Sequence, residues 1–249
     1  MIISSAPFRI SFAGGGSDIS FFYRKIRGAV LSSTINKYIY ISIHPYFNAG
    51  RTLLKYSKNE LVDSLDSIKH PVFREVVKEI WPAGGVEIVS TADIPSGTGL
   101  GSSSSFTVAL LHAVYAYQGT FCSKEKLASK ACEIEIDRLG EPIGKQDQYA
   151  AAYGGLNFIE FNPDESVVVT PLTLPRESII ELENNLLLFY TGDQRETADI
   201  LKDQKKQVGM SDKKFKAMEQ MVELAYERRE APIGGDVKGV VRTLGEGWN

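Results

Sequence analysis

Residues 95–105 read Pro-Ser-Gly-Thr-Gly-Leu-Gly-Ser-Ser-Ser-Ser, and no other stretch limits the fold as tightly. The run follows a β-rich segment, Val86-Glu87-Ile88-Val89, and leads directly into an apolar stretch over 106–117. Gly97, Gly99 and Gly101 stand at alternate positions and carry no Cβ to keep a ligand off the backbone. The serines that follow stand where a helix begins. A helix N-terminus presents unpaired N–H groups and the positive end of the helix dipole, which together favour phosphate. A flexible Gly/Ser linker is the alternative, but linkers do not sit between a strand and a helix. The strand–loop–helix context predicts an anion-binding loop.

Two common phosphate loops do not fit. A P-loop ends in Gly-Lys-Ser/Thr, and no lysine follows these glycines. The dinucleotide fingerprint is Gly-x-Gly-x-x-Gly, whereas here the third glycine comes one residue early. Composition narrows the rest. At 249 residues, 43% hydrophobic and 24% charged, the chain can build one or two globular domains. A formal net charge of -3 and the lack of a basic run give no electrostatic footprint for nucleic acid. Cys122 and Cys132 are too few for a disulfide framework and lack zinc spacing. His44, His70 and His112 are scattered, which argues against a histidine metal site or triad. The opening Met1-Ile2-Ile3 is too short an apolar run for a signal peptide or membrane span. A cytoplasmic location and no membrane partner are expected.

Over 8–12, Phe8, Ile10 and Phe12 alternate with Arg9 and Ser11, the period of a strand with one apolar face. Gly14, Gly15 and Gly16 then end the strand in a backbone-exposing turn, with Ser17 and Asp18 just beyond. Residues 28–47 are β-rich, with Ile39, Ile41 and Ile43 on one face and Tyr38, Tyr40 and Ser42 on the other. Asn48-Ala49-Gly50 signals a turn, after which 51–57 is expected to return antiparallel. A short helix is expected over 71–81, before Pro82. Several strands thus precede the first long helix, an order that argues for an α+β fold.

The helix expected over 123–139 has Ser123 as N-cap and Gly140 just past its end. At about 100° per residue, Lys126, Ser129, Lys130, Glu133 and Asp137 share one polar stripe. Glu135 falls in the middle of the opposite, apolar face. A carboxylate directed into a core must be paired or coordinate a metal, so a buried salt bridge and a Mg2+ ligand both stand open. Residues 145–153 have the composition of a short helix with Asp147 near its start, where an aspartate alone would read as a cap. Strands are expected over 155–161 and 167–172. The pattern then breaks over 171–183, and a further strand over 186–190 and helices near 195–208 and 212–229 are expected.

Three segments carry a resemblance. Pro-x-x-x-Gly-Leu-Gly-Ser-Ser resembles the ATP loop of the GHMP kinases, the family of galactokinase, homoserine kinase, mevalonate kinase and phosphomevalonate kinase. Arg-Ile-Ser-Phe-Ala-Gly-Gly-Gly-Ser-Asp at 9–18 resembles the first motif of that family in its heptose 7-phosphate branch; galactokinases carry Gly-Glu-His-Thr-Asp there. Gly-Lys-Gln-Asp-Gln-Tyr at 144–149, followed by Gly154-Gly155, resembles the segment with the catalytic aspartate.

The resemblance implies a GHMP kinase-like two-domain α+β fold. Its ribosomal protein S5 domain 2-like, ATP-binding N-terminal domain would span 1–175, and an incomplete ferredoxin-like C-terminal domain 176–249. It implies ATP and Mg2+ as cofactors and a sugar phosphate as small-molecule partner. Carried over by position, Asp147 is the base and Arg9 the positive group at the acceptor hydroxyl. Pro95, Gly97, Gly99, Leu100, Gly101, Ser102, Ser103, Ser104 and Ser105 hold the nucleotide, and Ser103 and Glu135 bind the metal. Gly15, Gly16, Ser17 and Asp18 contact the sugar, and Arg195 contacts its phosphate. The expected reaction is phosphoryl transfer to the anomeric oxygen of D-glycero-D-manno-heptose 7-phosphate. A fucose- or galactose-type kinase, or a non-catalytic nucleotide- or sugar-binding protein, is the alternative. The family's third motif, of the Gly-Ala-Gly-Gly-Gly-Gly type, has no counterpart here. Phe215, Met218, Met221, Val222 and Ala225 recur at helical spacing and need a partner surface, so homo-oligomeric association is expected.

Overall fold

Alternation of β-branched and polar residues builds the longest strands. The computed structural model describes residues 1–79, 85–190, 192 and 212–229. Its contacts divide the chain into two compact units. One comprises Met1–Phe8, Ile35–Glu141 and Asp147–Tyr153; the other comprises Arg9–Thr34, Pro142–Gln146 and Gly154–Asn249. Strands β1 (Ile2–Ala13) and β2 (Gly28–Pro45) contribute residues to both.

In the first unit the second half of β2 buries Ile39, Ile41 and Ile43, while Tyr40 is exposed, as the period-two pattern requires. It pairs antiparallel with β5 (Val86–Ala92), which runs parallel to β3 (Thr52–Lys55); β3 in turn pairs antiparallel with β4 (Asn59–Val62). The segment after the Asn48-Ala49-Gly50 turn does run opposite to β2, but it does not lie beside it. β5 takes the place between them, because its Val86 and Ile88 supply an apolar face buried on the same core.

Helices cover that core. The second helix, α2 (Pro71–Val77), follows α1 (Ser20–Tyr23) of the other unit and buries Phe73, Val76 and Val77. Helix α3 (Ser102–Tyr117) is buried almost all round through Leu110, Leu111 and Val114, which its apolar composition anticipates. Helix α4 (Lys124–Cys132) starts where expected, with the Ser123 hydroxyl accepting from Lys126 N–H at 3.2 Å. It passes into a π-helical segment, Glu133–Arg138, in which Leu139 N–H donates to Ile134 C=O at 3.0 Å. Gly140 follows with φ of 69°. Helix α5 (Gln146–Tyr153) lies within this unit from Asp147 onward.

In the second unit the first half of β2 pairs antiparallel with β6 (Leu156–Phe161), and β6 with β7 (Val167–Pro171). The sheet packs Leu31 and Phe158 with Phe12, Phe22 and Leu182. Helix α6 (Arg176–Asn184) occupies the stretch where periodicity breaks; it buries only Ser178 and Leu182, too narrow a stripe to read from sequence. Helix α7 (Asp212–Arg228) buries Met218, Val222 and Ala225, and the Phe215 and Phe22 ring centroids lie 5.0 Å apart. The apolar face expected to need a partner is therefore covered by this unit's own core. Residues 186–190 form no strand: they pair with none of the described strands, and Leu187 is 80% and Phe189 78% exposed. The helix expected near 195–208 lies outside the described residues. No described helix is long and apolar enough to cross a membrane.

One packing detail carries a pH dependence. His70 caps α2, its Nδ1 accepting from Phe73 N–H at 3.4 Å, and its ring packs on Tyr56, Phe73 and Phe106. Burial holds its pKa below the ordinary value. The unfolded chain therefore takes up the proton first as pH falls below about 6.5, and the stabilisation present above that pH is lost toward the lower folded-state value. His70→Asn keeps a capping acceptor but not the titration. Urea midpoints measured from pH 7.5 to 5 should fall less steeply in the variant than in the parent chain.

Candidate functional site

The glycine loop owes its shape to backbone conformation. Gly97, Gly99 and Gly101 all have φ between 75° and 78°, the left-handed region that strains any residue with a Cβ. Thr98 Oγ1 closes the turn by donating to Pro95 C=O at 3.3 Å, and Leu100 anchors it by packing against the first unit's core. Gly101 is the N-cap of α3. The first intrahelical bond runs from Ser105 N–H to Gly101 C=O at 3.0 Å, so the amides of Ser102, Ser103 and Ser104 form the first turn ahead of it. The serines divide by direction. Ser102 and Ser103 are accessible, whereas Ser104 and Ser105 are buried. Ser105 Oγ donates to Pro7 C=O at 2.8 Å. Ser105, expected at the nucleotide, thus has both hydroxyl and amide committed within the protein, and Ser104 retains only its amide for a ligand.

Behind this helix start lies Glu135, 1% exposed and inside the π-helical segment. Ser103 Oγ and Thr107 Oγ1 each donate to its Oε1 at 3.0 Å, and Gln148 Nε2 donates to its Oε2 at 2.7 Å. These are neutral donors, so hydrogen bonds to hydroxyls and an amide take the place of the salt bridge left open by the sequence. Burial pushes the carboxyl up, and the hydrogen bonds from Gln148, Ser104, Thr107 and Ser103 oppose that rise. Gln148 Oε1 is buried with no hydrogen-bond partner among the described residues. Carboxylate, hydroxyl and amide oxygen are the donor types a hard cation takes, so the set fits Mg2+. Thr107 and Gln148 were not singled out in the sequence; Thr107 stands one helical turn after Ser103, and that spacing was the available signal.

A second cluster forms around Asp18 in the other unit. Its carboxylate is 2% exposed and accepts from Gly16 N–H at 3.1 Å, Gln146 N–H at 3.0 Å and Gln146 Nε2 at 3.2 Å. A Cβ on Gly144 would stand 1.8 Å from Asp18 Oδ2, so the position accepts no side chain. Ser17 is also turned inward, its Oγ donating to Gly14 C=O at 2.7 Å and accepting from Ala29 N–H at 3.1 Å. Asp18 and Ser17, expected to meet sugar hydroxyls, are both occupied by their own chain. Gly15 borders open space, and Gly16 has φ of 91°. Arg9 is half-buried on β1, and Asp147 half-buried in the first turn of α5. Asp147 stands between Gln146, bound to Asp18, and Gln148, bound to Glu135. Arg195 lies outside the described residues.

Comparison with known proteins bears on the same segments. The family model described as GHMP kinases N terminal domain matches residues 67–155, which include the glycine loop, Glu135 and Asp147. The chain is 32% identical to the D-glycero-alpha-D-manno-heptose 7-phosphate kinase of Campylobacter jejuni, over 99% of this chain and 76% of that one. It is 27% identical to the bifunctional fucokinase/GDP-fucose pyrophosphorylase of Arabidopsis thaliana, over 97% of this chain but 25% of the other. The crystal structure of a D-glycero-D-manno-heptose 1-phosphate kinase from Bacteriodes thetaiotaomicron superposes with a TM-score of 0.83 at 30% identity, covering 100% of this chain and 78% of that one. The α+β architecture expected from the order of strands and helices is the one these kinases share. With a family match that includes its glycine loop and a relative of this identity along nearly its whole length, the chain belongs to the GHMP kinase family.

Proposed function

We propose that the chain transfers the γ-phosphoryl group of ATP to the anomeric oxygen of D-glycero-D-manno-heptose 7-phosphate. The likeness to the Campylobacter jejuni heptose kinase, sustained along the chain, carries this reading. The sugar's anomeric oxygen forms the new bond to the γ-phosphorus, and the bond from that phosphorus to the bridging oxygen breaks, releasing ADP. Asp147 accepts the hydroxyl proton. Transfer of this kind depends on positioning and charge stabilisation more than on covalent chemistry. The left-handed glycines and the amides of Ser102, Ser103 and Ser104 would hold phosphate oxygens, a task a P-loop shares with its lysine. Glu135 and Ser103 would hold Mg2+, which neutralises charge on the phosphates when bound. Arg9 would favour the developing charge at the acceptor oxygen, and Gly15 and Gly16 would border the sugar.

The plant fucokinase relative supports a second reading, in which the acceptor is a free sugar. A panel of acceptors separates the two. Heptose 7-phosphate should give a kcat/KM at least about 10-fold above free heptose, fucose and galactose, because a phosphate held by charge-assisted hydrogen bonds adds binding that the free sugars lack. Equal turnover of phosphorylated and free sugars would favour the free-sugar reading.

Asp147→Asn should lower kcat by about 10²–10⁴-fold while ATP binding, measured by calorimetry, stays near the parent value. Retention of most of the turnover would remove Asp147 from the role of base.

Glu135→Gln tests the metal assignment. The neutral amide is easier to bury but a poorer Mg2+ ligand, so Mg2+-dependent ATP affinity should fall while the melting temperature holds or rises. Glu133, which ion-pairs with Arg138 and Lys130, is the control. Glu133→Gln should leave nucleotide affinity unchanged.

A further inference from the structure

Four hydrogen bonds tie the Gly14–Asp18 turn and β1 to the residues just before Asp147. Asp18 accepts from the backbone N–H and the side-chain Nε2 of Gln146, at 3.0 and 3.2 Å. Its backbone C=O accepts from Lys145 N–H at 3.3 Å. Ser11 Oγ donates to Gln146 Oε1 at 2.8 Å, which fixes the orientation of that amide. Within the turn, Gly16 N–H donates at 3.1 Å to Asp18 Oδ1, the oxygen that also accepts from Gln146 Nε2. The acid is 2% exposed, and Gly144 has no room for a Cβ beside it. A carboxylate buried this way and surrounded by its own chain's N–H donors is a structural anchor, with no face left for a sugar hydroxyl.

We propose that Asp18 is a positioning residue. Through Gln146 it fixes the backbone that carries Asp147, and it does not hold the sugar. Lys145 is fixed from the other side. Its Nζ lies 2.7 Å from a carboxylate oxygen of Glu165 and 4.7 Å from the centroid of the Tyr23 ring. The segment before Asp147 is thereby held at two successive residues. The catalytic half of this proposal rests on Asp147 being the base.

Exchange of the two anchoring groups in the full chain provides the test. Asp18→Asn sets an amide N–H₂ against the N–H donors around it, and Gln146→Glu sets a second carboxylate against Asp18. Each should lower kcat by about 10–100-fold, the scale of a misplacement near 1 Å, with sugar-phosphate KM and calorimetric Kd within about 2-fold of the parent. The double variant D18N/Q146E restores a donor–acceptor match between the two side chains but not to the backbone N–H groups, so it should recover kcat in part, by at least about 3-fold over either single variant. Hydrogen exchange of the 142–147 peptide should quicken in each single variant and slow again in the double.

A rise of 10-fold or more in sugar Kd for Asp18→Asn, without rescue in the double variant, would make Asp18 a sugar ligand and overturn the proposal. If the single variants do not fold, Ser11→Ala serves instead, since it removes the hydroxyl that orients Gln146 and leaves no buried charge. It should lower kcat about 3–10-fold at constant sugar Kd, and unchanged kcat would overturn the proposal. Asp147→Asn measured in parallel separates the two readings. If it keeps parent turnover while the double variant restores protection from exchange, the base assignment has failed and Asp18 anchors the segment without a catalytic consequence; if protection is not restored, the anchoring role itself is overturned.

Discussion

A buried carboxylate organises the first unit. Glu135 lies in the protein interior, and leaving it without partners there would cost several kcal/mol. Hydrogen bonds from neutral side chains, those of Ser103, Thr107 and Gln148 among them, offset that cost, each worth about 1.5–3 kcal/mol when the acceptor is charged. The donors come from two places in the chain: Ser103 and Thr107 on the first turns of α3, and Gln148 on α5. Satisfying one charge therefore fixes the glycine-loop helix start relative to the helix that carries Asp147. The π-helical segment belongs to the same arrangement. Its wider turn resets the register of a helix that began as α, and Glu135 faces inward within it.

The second unit repeats the device with different donors. Asp18 is also an acid withdrawn from solvent, but backbone amides as well as a side-chain amide satisfy it. The two glutamines beside Asp147 thus have parallel tasks, each binding a buried acid. In the role of base proposed for it, Asp147 would gain from such restraint, because small displacements of a reacting group reduce rate steeply. The glycine positions fall into two kinds for related reasons. Gly97, Gly99 and Gly101 are required by a left-handed backbone, whereas Gly144 is required because Asp18 occupies the space of its side chain.

Much of the scaffold was legible in local pattern. Alternation predicts the burial of Ile39, Ile41 and Ile43, Ser123 announces the start of α4, and the apolar run after the serines gives a helix buried on nearly every side. Glu135 could be singled out because one acid on an apolar face breaks a rule that local sequence otherwise keeps. Misreadings arose where the deciding partner is remote or absent from the pattern. β3 lies beside β5 and not β2, α6 has too narrow a buried stripe to be read as a helix, and 186–190 pairs with none of the described strands.

By itself the sequence determined the strand–loop–helix, its glycines, the helix caps and the acid that had to be satisfied. Each of these follows from neighbours within a few residues, through backbone conformation and side-chain period. Only the tertiary structure decided how the acids are satisfied. Asp18 and Gln146 are separated by 128 residues, and Ser103 and Glu135 by 32. No periodicity spans such distances, and a glutamine in a short polar helix looks the same whether it faces water or a buried carboxylate. Packing decided which polar residues are buried with partners inside the protein and which stay exposed, because a buried polar group must find its partner wherever the fold brings one.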